Sequence, residues 1–162
     1  MFSVFFFVPD LPGAVRTLWR LVRPAGRLAI TSWGANLFEP ADALFWEAVR
    51  EVDPELVKSM KPWSKIVEPD LLRALLIECD VSDPEVIAEP GTHLLASPED
   101  WWTIILGSGY RSTVDALSNP NRERVKRATI EAVRRQKIRQ VRADVIYATA
   151  QRSRSNLLAP SP

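Results

Sequence analysis

Apolar positions along the first third of the chain follow two different periods. Phe2–Val8 is a continuous apolar run ended by Pro9, a pattern typical of a strand buried on both faces. Apolar residues at helical spacing follow over 11–22, with Asp10 as a predicted N-cap. A second apolar strand is predicted at Arg27–Trp33. Strand, helix and strand in this order predict a βαβ unit with a parallel strand pair.

The rest of the chain continues to alternate between helical and extended patterns. Helices are predicted at Pro40–Val52, Pro69–Glu78, Ser97–Gly107 and Asn121–Lys137, and strands at Glu85–Glu89, Thr92–Leu95 and Arg142–Ala150. The last strand has apolar residues on both sides, Val145 and Ile146, so we place it inside a sheet. We therefore expect one α/β domain over residues 1–150, followed by a polar, disordered tail at 151–162.

Composition limits the class of protein and the kinds of site. The chain has 162 residues, of which 46% are hydrophobic and 25% charged, as in a soluble folded domain. Cys79 is the single cysteine, so no disulfide is expected and a reducing, cytoplasmic setting is the default. With one cysteine and one histidine, a Cys/His metal site is not expected. His93 is either a general base or, as we favour, a surface or capping residue. Phe2–Val8 is too short to span a membrane and has no basic leader, so neither a span nor a signal peptide is expected.

Charge is unevenly distributed although the net charge is only +1. Residues 38–100 contain 15 acids and 5 bases, whereas residues 122–142 contain 9 bases and 2 acids. The two regions either attract each other within the fold, or the basic helix binds an anionic partner. Glu123 and Glu131 interrupt the basic face, so a solvated helix is favoured, with no nucleic-acid and no membrane partner.

Several motifs resemble one protein family. Phe6–Pro12 (FFVPDLP) and the turn Arg20–Gly26 (RLVRPAG) resemble the fourth strand, the next helix and its arginine-rich turn in class I S-adenosylmethionine-dependent methyltransferases. The family commonly has glycine where Ala25 stands. Trp101–Arg111 and Val145–Ala148 also resemble C-terminal parts of the small-molecule enzymes. The family's strand order, 3-2-1-4-5-7-6, implies a partial Rossmann-like sheet of strands 4-5-7-6 here.

The resemblance also implies what this chain lacks. The family binds its cofactor on a glycine-rich loop after the first strand and an acid after the second, but the sequence has no G-x-G-x-G. We therefore expect the C-terminal part of a truncated methyltransferase, which transfers a methyl group from S-adenosylmethionine to a small-molecule acceptor in its intact parent and has weak or no activity alone. Catalysis in this family is chiefly positioning, so no catalytic residue is assigned.

The predicted strand Phe2–Val8 would become a sheet edge in such a truncated chain. A long, apolar, uncharged edge pairs readily with another chain. We therefore expect a homodimer or pairing with a separate N-terminal half. The alternative function is a non-catalytic interaction module that pairs through this exposed edge.

The resemblance points to two groups of site residues. Phe7, Val8 and Pro9 lie where the family contacts the methionine part of the cofactor; the alternative is plain core and turn. Trp33 is expected either to wall the acceptor pocket or to be core. Tyr110 and Arg111 are expected to line the acceptor site, with Arg111 pairing an anionic group. The alternative for this segment is structural, with the tryptophans packing the helix and Arg111 pairing an acid.

Overall fold

The computed structural model describes residues 8–57 and 66–154 and has a mixed α/β architecture with two small antiparallel sheets. The α-helices in these residues are α1 (Leu11–Leu21), α2 (Ala41–Val52), α3 (Pro69–Glu78), α4 (Pro98–Leu106), α5 (Arg111–Ala116) and α6 (Asn119–Arg135), and a short 3-10 helix lies at Pro54–Leu56. The strands are β1 (Arg27–Trp33), β2 (Glu85–Glu89), β3 (Thr92–Leu94), β4 (Gln140–Arg142) and β5 (Val145–Gln151). The predicted strand Phe2–Val8, with Phe7, lies outside the described residues except for Val8. No described helix has the length and apolar character to cross a membrane.

Most predicted elements are confirmed, several of them with the same bounds. The bounds of β1, α3 and β2 are those predicted from the pattern. Two elements, α5 and β4, were not predicted. A six-residue helix and a three-residue strand are too short to show a clear period, and β4 exists because it pairs with β3.

The chain forms two compact units. The described residues of the first unit are 8–35, 66–89 and 145–154, and those of the second are 36–57 and 90–144. The second unit is therefore formed by segments that leave and rejoin the first. The division into residues 1–150 and a tail at 151–162 remains a prediction.

The first unit contains a three-stranded sheet with the order β1-β5-β2. Both strand pairs are antiparallel, with Ile30 opposite Ala148 and Ala148 opposite Val86. β5, the last strand of the chain, thus lies inside the sheet, as its two apolar sides predicted. One face of the sheet packs against α1 and α3, in a core that includes Val15 of α1 and Leu72 of α3.

Arg152 holds the end of α1 to the end of β5. Its Nη1 donates hydrogen bonds to the carbonyl oxygens of Trp19, Arg20 and Val22, at 3.3, 2.9 and 2.6 Å. The backbone joins as well, since the Ala25 N–H donates to the Arg152 carbonyl at 2.9 Å. The last carbonyls of a helix have no partner within the helix, so this arginine satisfies groups that α1 cannot satisfy itself. Residues 155–162 of the predicted tail lie outside the described part.

The second unit is helical, with a short β3–β4 ribbon. α2 and α4 pack against α6 around buried apolar residues that include Val125 and Val133. α4 begins with a capping box, in which Ser97 and Asp100 bond each other's backbone. Hydrogen bonds from the backbone and hydroxyl of Ser97 lower the pKa of Asp100.

Candidate functional site

A buried carboxylate in the second unit holds two aromatic side chains. The Tyr110 hydroxyl donates to Asp42 Oδ1 at 2.5 Å, and Trp46 Nε1 donates to the same oxygen at 3.0 Å. Tyr110 is 6% exposed and Asp42 is 4% exposed. Asp42 lies in the first turn of α2, where the helix dipole favours negative charge. The two described donors and the place of Asp42 on the helix thus help to offset the burial of this carboxylate.

Four aromatic rings among the described residues surround the ring of Tyr110. Phe45 stacks on it with the centroids 5.4 Å apart, and Trp46 meets it edge-on at 5.5 Å. Phe38 and Trp101 complete the surround at 5.9 and 6.4 Å, both at steep angles. Asp42, Phe45 and Trp46 are three and four residues apart, so α2 presents them on one face. The indole nitrogen of Trp101 is buried and has no hydrogen-bond partner among the described residues.

The environment of Tyr110 determines its protonation. Burial, followed by the negative charge of Asp42, raises the pKa of the phenol well above its usual range. The hydroxyl therefore stays protonated at neutral pH and acts as a hydrogen-bond donor. As placed here, Tyr110 joins α2 to the segment after α4, and its hydroxyl does not serve as a general base.

Arg111 follows Tyr110 in sequence but lies in a different environment. Its side chain is 66% exposed, and its Nε lies 3.4 Å from Asp115 Oδ2 one helical turn later on α5. The acid pairing that we gave as the structural alternative is therefore present. An exposed pair of this kind contributes little to stability, so the guanidinium remains available at the surface.

The remaining predicted site residues belong to the first unit. Trp33 is the last residue of β1, is half-buried and is paired with Val145. Val8 is half-buried and Pro9 is exposed, just before α1. Asp10 follows as the N-cap, with its Oδ1 accepting from the Gly13 N–H at 2.9 Å. Phe7 lies outside the described residues, and the roles assigned to all these residues remain predictions.

His93 and Cys79 are the other titratable candidates. His93 is exposed on β3 opposite Val141. Cys79 is buried, which raises the pKa of its thiol, and its Sγ lies 3.5 Å from the Pro12 carbonyl oxygen. Within residues 8–57 and 66–154, no three His, Cys, Asp or Glu side chains are grouped as a metal site would require.

Asp42 is the site residue that sequence reasoning missed. It stands on the apolar face of α2, next to Phe45 and Trp46, where a charged residue is unusual. An acid on such a face predicts a buried partner with a donor. The pattern could have identified Asp42 in this way, but not Tyr110, which is 68 positions away.

Comparisons with known proteins give structural neighbours only. No family model and no curated protein matches the sequence significantly. The chain is similar to two solved structures of phosphoethanolamine N-methyltransferase 2 from Haemonchus contortus, at 10% identity. One structure contains S-adenosyl-L-methionine and matches with a TM-score of 0.42. The other contains phosphomonomethylethanolamine and S-adenosylhomocysteine and matches with a TM-score of 0.43. Each match covers 94% of this chain and 32% of the other. A Bacillus halodurans protein named as a methyltransferase is similar at 16% identity and TM-score 0.46, over 94% of this chain and 67% of that one. The chain thus spans about a third of the length of the first two neighbours.

Proposed function

We propose that this chain is the acceptor-side part of a class I S-adenosylmethionine-dependent methyltransferase that methylates a small molecule. The observation that supports this proposal is the strand order β1-β5-β2. The sequence resemblance implies the family order 5-7-6 for these three strands. In that order the strand that comes last in the chain lies between the two that come earlier, as β5 lies between β1 and β2. A simple meander would have placed β2 next to β1, so this order is a specific outcome.

The turn between α1 and β1 gives a second, local argument. Ala25 has a φ of 60° and thus lies in the left-handed region that glycine adopts without strain. The family commonly has glycine at this position. The turn therefore has the backbone shape that the resemblance implies, although its residue is alanine.

The described residues fit the cofactor in part. Val8 and Pro9 offer apolar surface just before α1, which suits the hydrocarbon chain and S-methyl group of the methionine part of S-adenosylmethionine. The neighbouring acid, Asp10, already accepts from the Gly13 N–H as the helix cap, so it is not placed for a ribose. We therefore propose that polypeptide outside these residues supplies the glycine-rich loop and the ribose-binding acid. Trp33, Tyr110 and Arg111 stay proposed for the acceptor side.

The first experiment is thermal unfolding of the chain with and without S-adenosylmethionine or S-adenosylhomocysteine. At about 100 times the dissociation constant a ligand adds about 2.7 kcal/mol of stability, or about 5–11 °C in Tm for a chain of this size. Because Val8 and Pro9 would contact only the methionine part of the cofactor, we expect the chain alone to bind either compound weakly, with a rise in Tm at millimolar concentration and none with adenosine. A cooperative transition that does not move with cofactor at millimolar concentration would overturn the cofactor part of the proposal.

Two matched variants test where the cofactor binds. Pro9→Glu and Leu21→Glu each replace an exposed apolar side chain by glutamate, at opposite ends of α1. Pro9→Glu should abolish the rise in Tm with the uncharged thioether S-adenosylhomocysteine, because a strongly hydrated carboxylate would replace the apolar surface proposed to contact it. Leu21→Glu should leave it unchanged. Equal effects of the two variants would remove Val8 and Pro9 from the site.

A non-catalytic interaction module is the second candidate. It is favoured by one face of the β1-β5-β2 sheet, on which no side chain is buried. Such a module would unfold cooperatively without any response to cofactor, so the same melting experiment separates the two functions.

A further inference from the structure

One face of the β1-β5-β2 sheet has no buried side chain among the described residues. Its side chains form four rows across the strands, namely Trp33, Val145 and Glu89, then Thr31, Tyr147 and Ile87, then Ala29, Thr149 and Glu85, and finally Arg27 and Gln151. None of these eleven side chains is buried. Ile87 and Tyr147, at the centre, are 54% and 39% exposed. By contrast, the other face packs against α1 and α3.

The placement of side chains on this face resembles that of an interface. Tyr147 lies on the middle strand β5 with Ile87 beside it on β2, Trp33 lies at a corner on β1, and the charged side chains of Arg27, Glu85 and Glu89 lie on the outer strands. Tyrosine and tryptophan are enriched in protein interfaces, and interface rims are polar. A sheet face that is exposed to solvent would instead have polar side chains at its centre.

The charges favour contact through the face and disfavour contact through the β2 edge. Glu85 and Glu89 lie on β2, which pairs only with β5 among the described strands. Charged side chains on an edge strand oppose the addition of a further strand. Glu85, Glu89 and Arg27 have no ion-pair partner within the described part of the chain, so they are available to a second molecule.

We propose that this face binds the same face of a second copy of the chain, as a sheet-on-sheet sandwich with its two-fold axis along the strands. In this arrangement β1 of one copy lies over β2 of the other, and each row of side chains lies over the same row of the second copy. Arg27 of one copy then lies one row, about 7 Å along the strand, from the level of Glu85 of the other, within reach of a long side chain. Symmetry forms this opposite-charge pair twice.

The other face-to-face arrangement is disfavoured by the same residues. A two-fold axis across the strands would reverse β2 about Ile87 and set Glu85 of one copy against Glu89 of the other. Like charges in contact at an interface cost affinity. The arrangement of Arg27, Glu85 and Glu89 therefore selects the axis along the strands. This inference does not depend on the methyltransferase proposal.

The size of the face sets the expected affinity. Three strands of up to seven residues give a face of about 15 by 23 Å, or about 350 Å². Stable complexes bury about 800 Å² on each partner, so this dimer should be weak and strongly dependent on concentration. Sedimentation velocity from about 10 µM to about 1 mM chain covers the range in which such a dimer forms.

A matched pair of variants tests the face. Ile87→Lys should leave the chain monomeric throughout this range, because it places charge at the centre of the sandwich. Leu94→Lys is the control, since Leu94 is 72% exposed on β3 in the second unit, and it should dimerise like the parent. Circular dichroism checks that both variants are folded. A parent chain that is monomeric at about 1 mM, or a dimer that survives Ile87→Lys, refutes the proposal.

A charge exchange tests the axis. Arg27→Glu and Glu85→Arg should each weaken the dimer by at least about fivefold, because each sets like charges together twice. The double variant Arg27→Glu with Glu85→Arg should restore the affinity of the parent. Losses that simply add in the double variant would overturn the two-fold arrangement along the strands.

Discussion

The turn after α1 provides the most specific prediction about stability. Ala25 has a φ of 60°, a conformation that costs a residue with a side chain about 1–2 kcal/mol relative to the right-handed region. Glycine adopts it freely, but glycine also makes the unfolded chain more flexible, at a cost of about 0.4–1 kcal/mol. Ala25→Gly should therefore stabilise the chain by about 0.5–1 kcal/mol, which raises Tm by about 1–4 °C.

Gly26 supplies the matched control within the same turn. A Cβ at Gly26 would lie 2.8 Å from the Arg23 carbonyl oxygen and 3.0 Å from Val22 Cγ1. Gly26→Ala should therefore destabilise, since a backbone oxygen cannot move away as a side chain can. Urea unfolding followed by circular dichroism measures both variants. If Ala25→Gly has no effect or lowers stability, the left-handed turn is not the source of strain and the local argument for the family resemblance is lost.

Three further predictions concern contacts within each unit. Tyr110→Phe should lower the free energy of unfolding in urea by about 1.5–3 kcal/mol, because it removes a hydrogen bond to a buried carboxylate. In the parent chain, stability should fall above about pH 10, because the tyrosine ionises in the unfolded state but not in the folded state, where its pKa is raised. Tyr110→Phe should remove this fall. Arg152→Met should speed hydrogen exchange at the end of α1, while Arg152→Lys should restore part of the protection; equal exchange in both would contradict the capping role. The Gly91 N–H, and then Arg142, lower the pKa of Asp144, so stability should fall below about pH 4, and Asp144→Asn should reduce that slope.

The elements that the sequence predicts well are those with strong local signals. α3 begins at Pro69, and its leucines recur at helical spacing, so its bounds agree with the pattern. β5 has apolar residues on both sides, which predicted a strand inside a sheet. Order within the sheet depends on pairing between distant segments, and the pattern along the chain contains no information on it. The family resemblance implied only a partial sheet of strands 4-5-7-6, and the equivalence of β1, β5 and β2 with strands 5, 7 and 6 belongs to the proposed function.

The candidate site was harder to predict, because its parts come from distant segments. Tyr110 was singled out as an acceptor-side residue next to a glycine-rich turn, but its buried partner is Asp42 on α2. Its neighbour Arg111, the first residue of α5, lies at the surface, because consecutive side chains at the start of a helix point in different directions. Sequence adjacency therefore gave no guide to which of the two side chains would be buried.

The structure also bears on the uneven charge. Arg134 lies 2.6 Å from Glu99, and Arg122 lies 3.9 Å from Asp115, so cations of the basic helix α6 pair with acids of the same unit. A surface groove beside α6 is lined by equal numbers of acids and bases, Glu99, Glu123, Glu131, Lys126, Arg127 and Arg134, together with Ile130. Of these two pairs, Arg134 with Glu99 joins the basic region 122–142 to the acidic region 38–100, whereas Asp115 lies outside both. Attraction within the fold is therefore present at one pair, and the absence of an anionic partner remains a prediction.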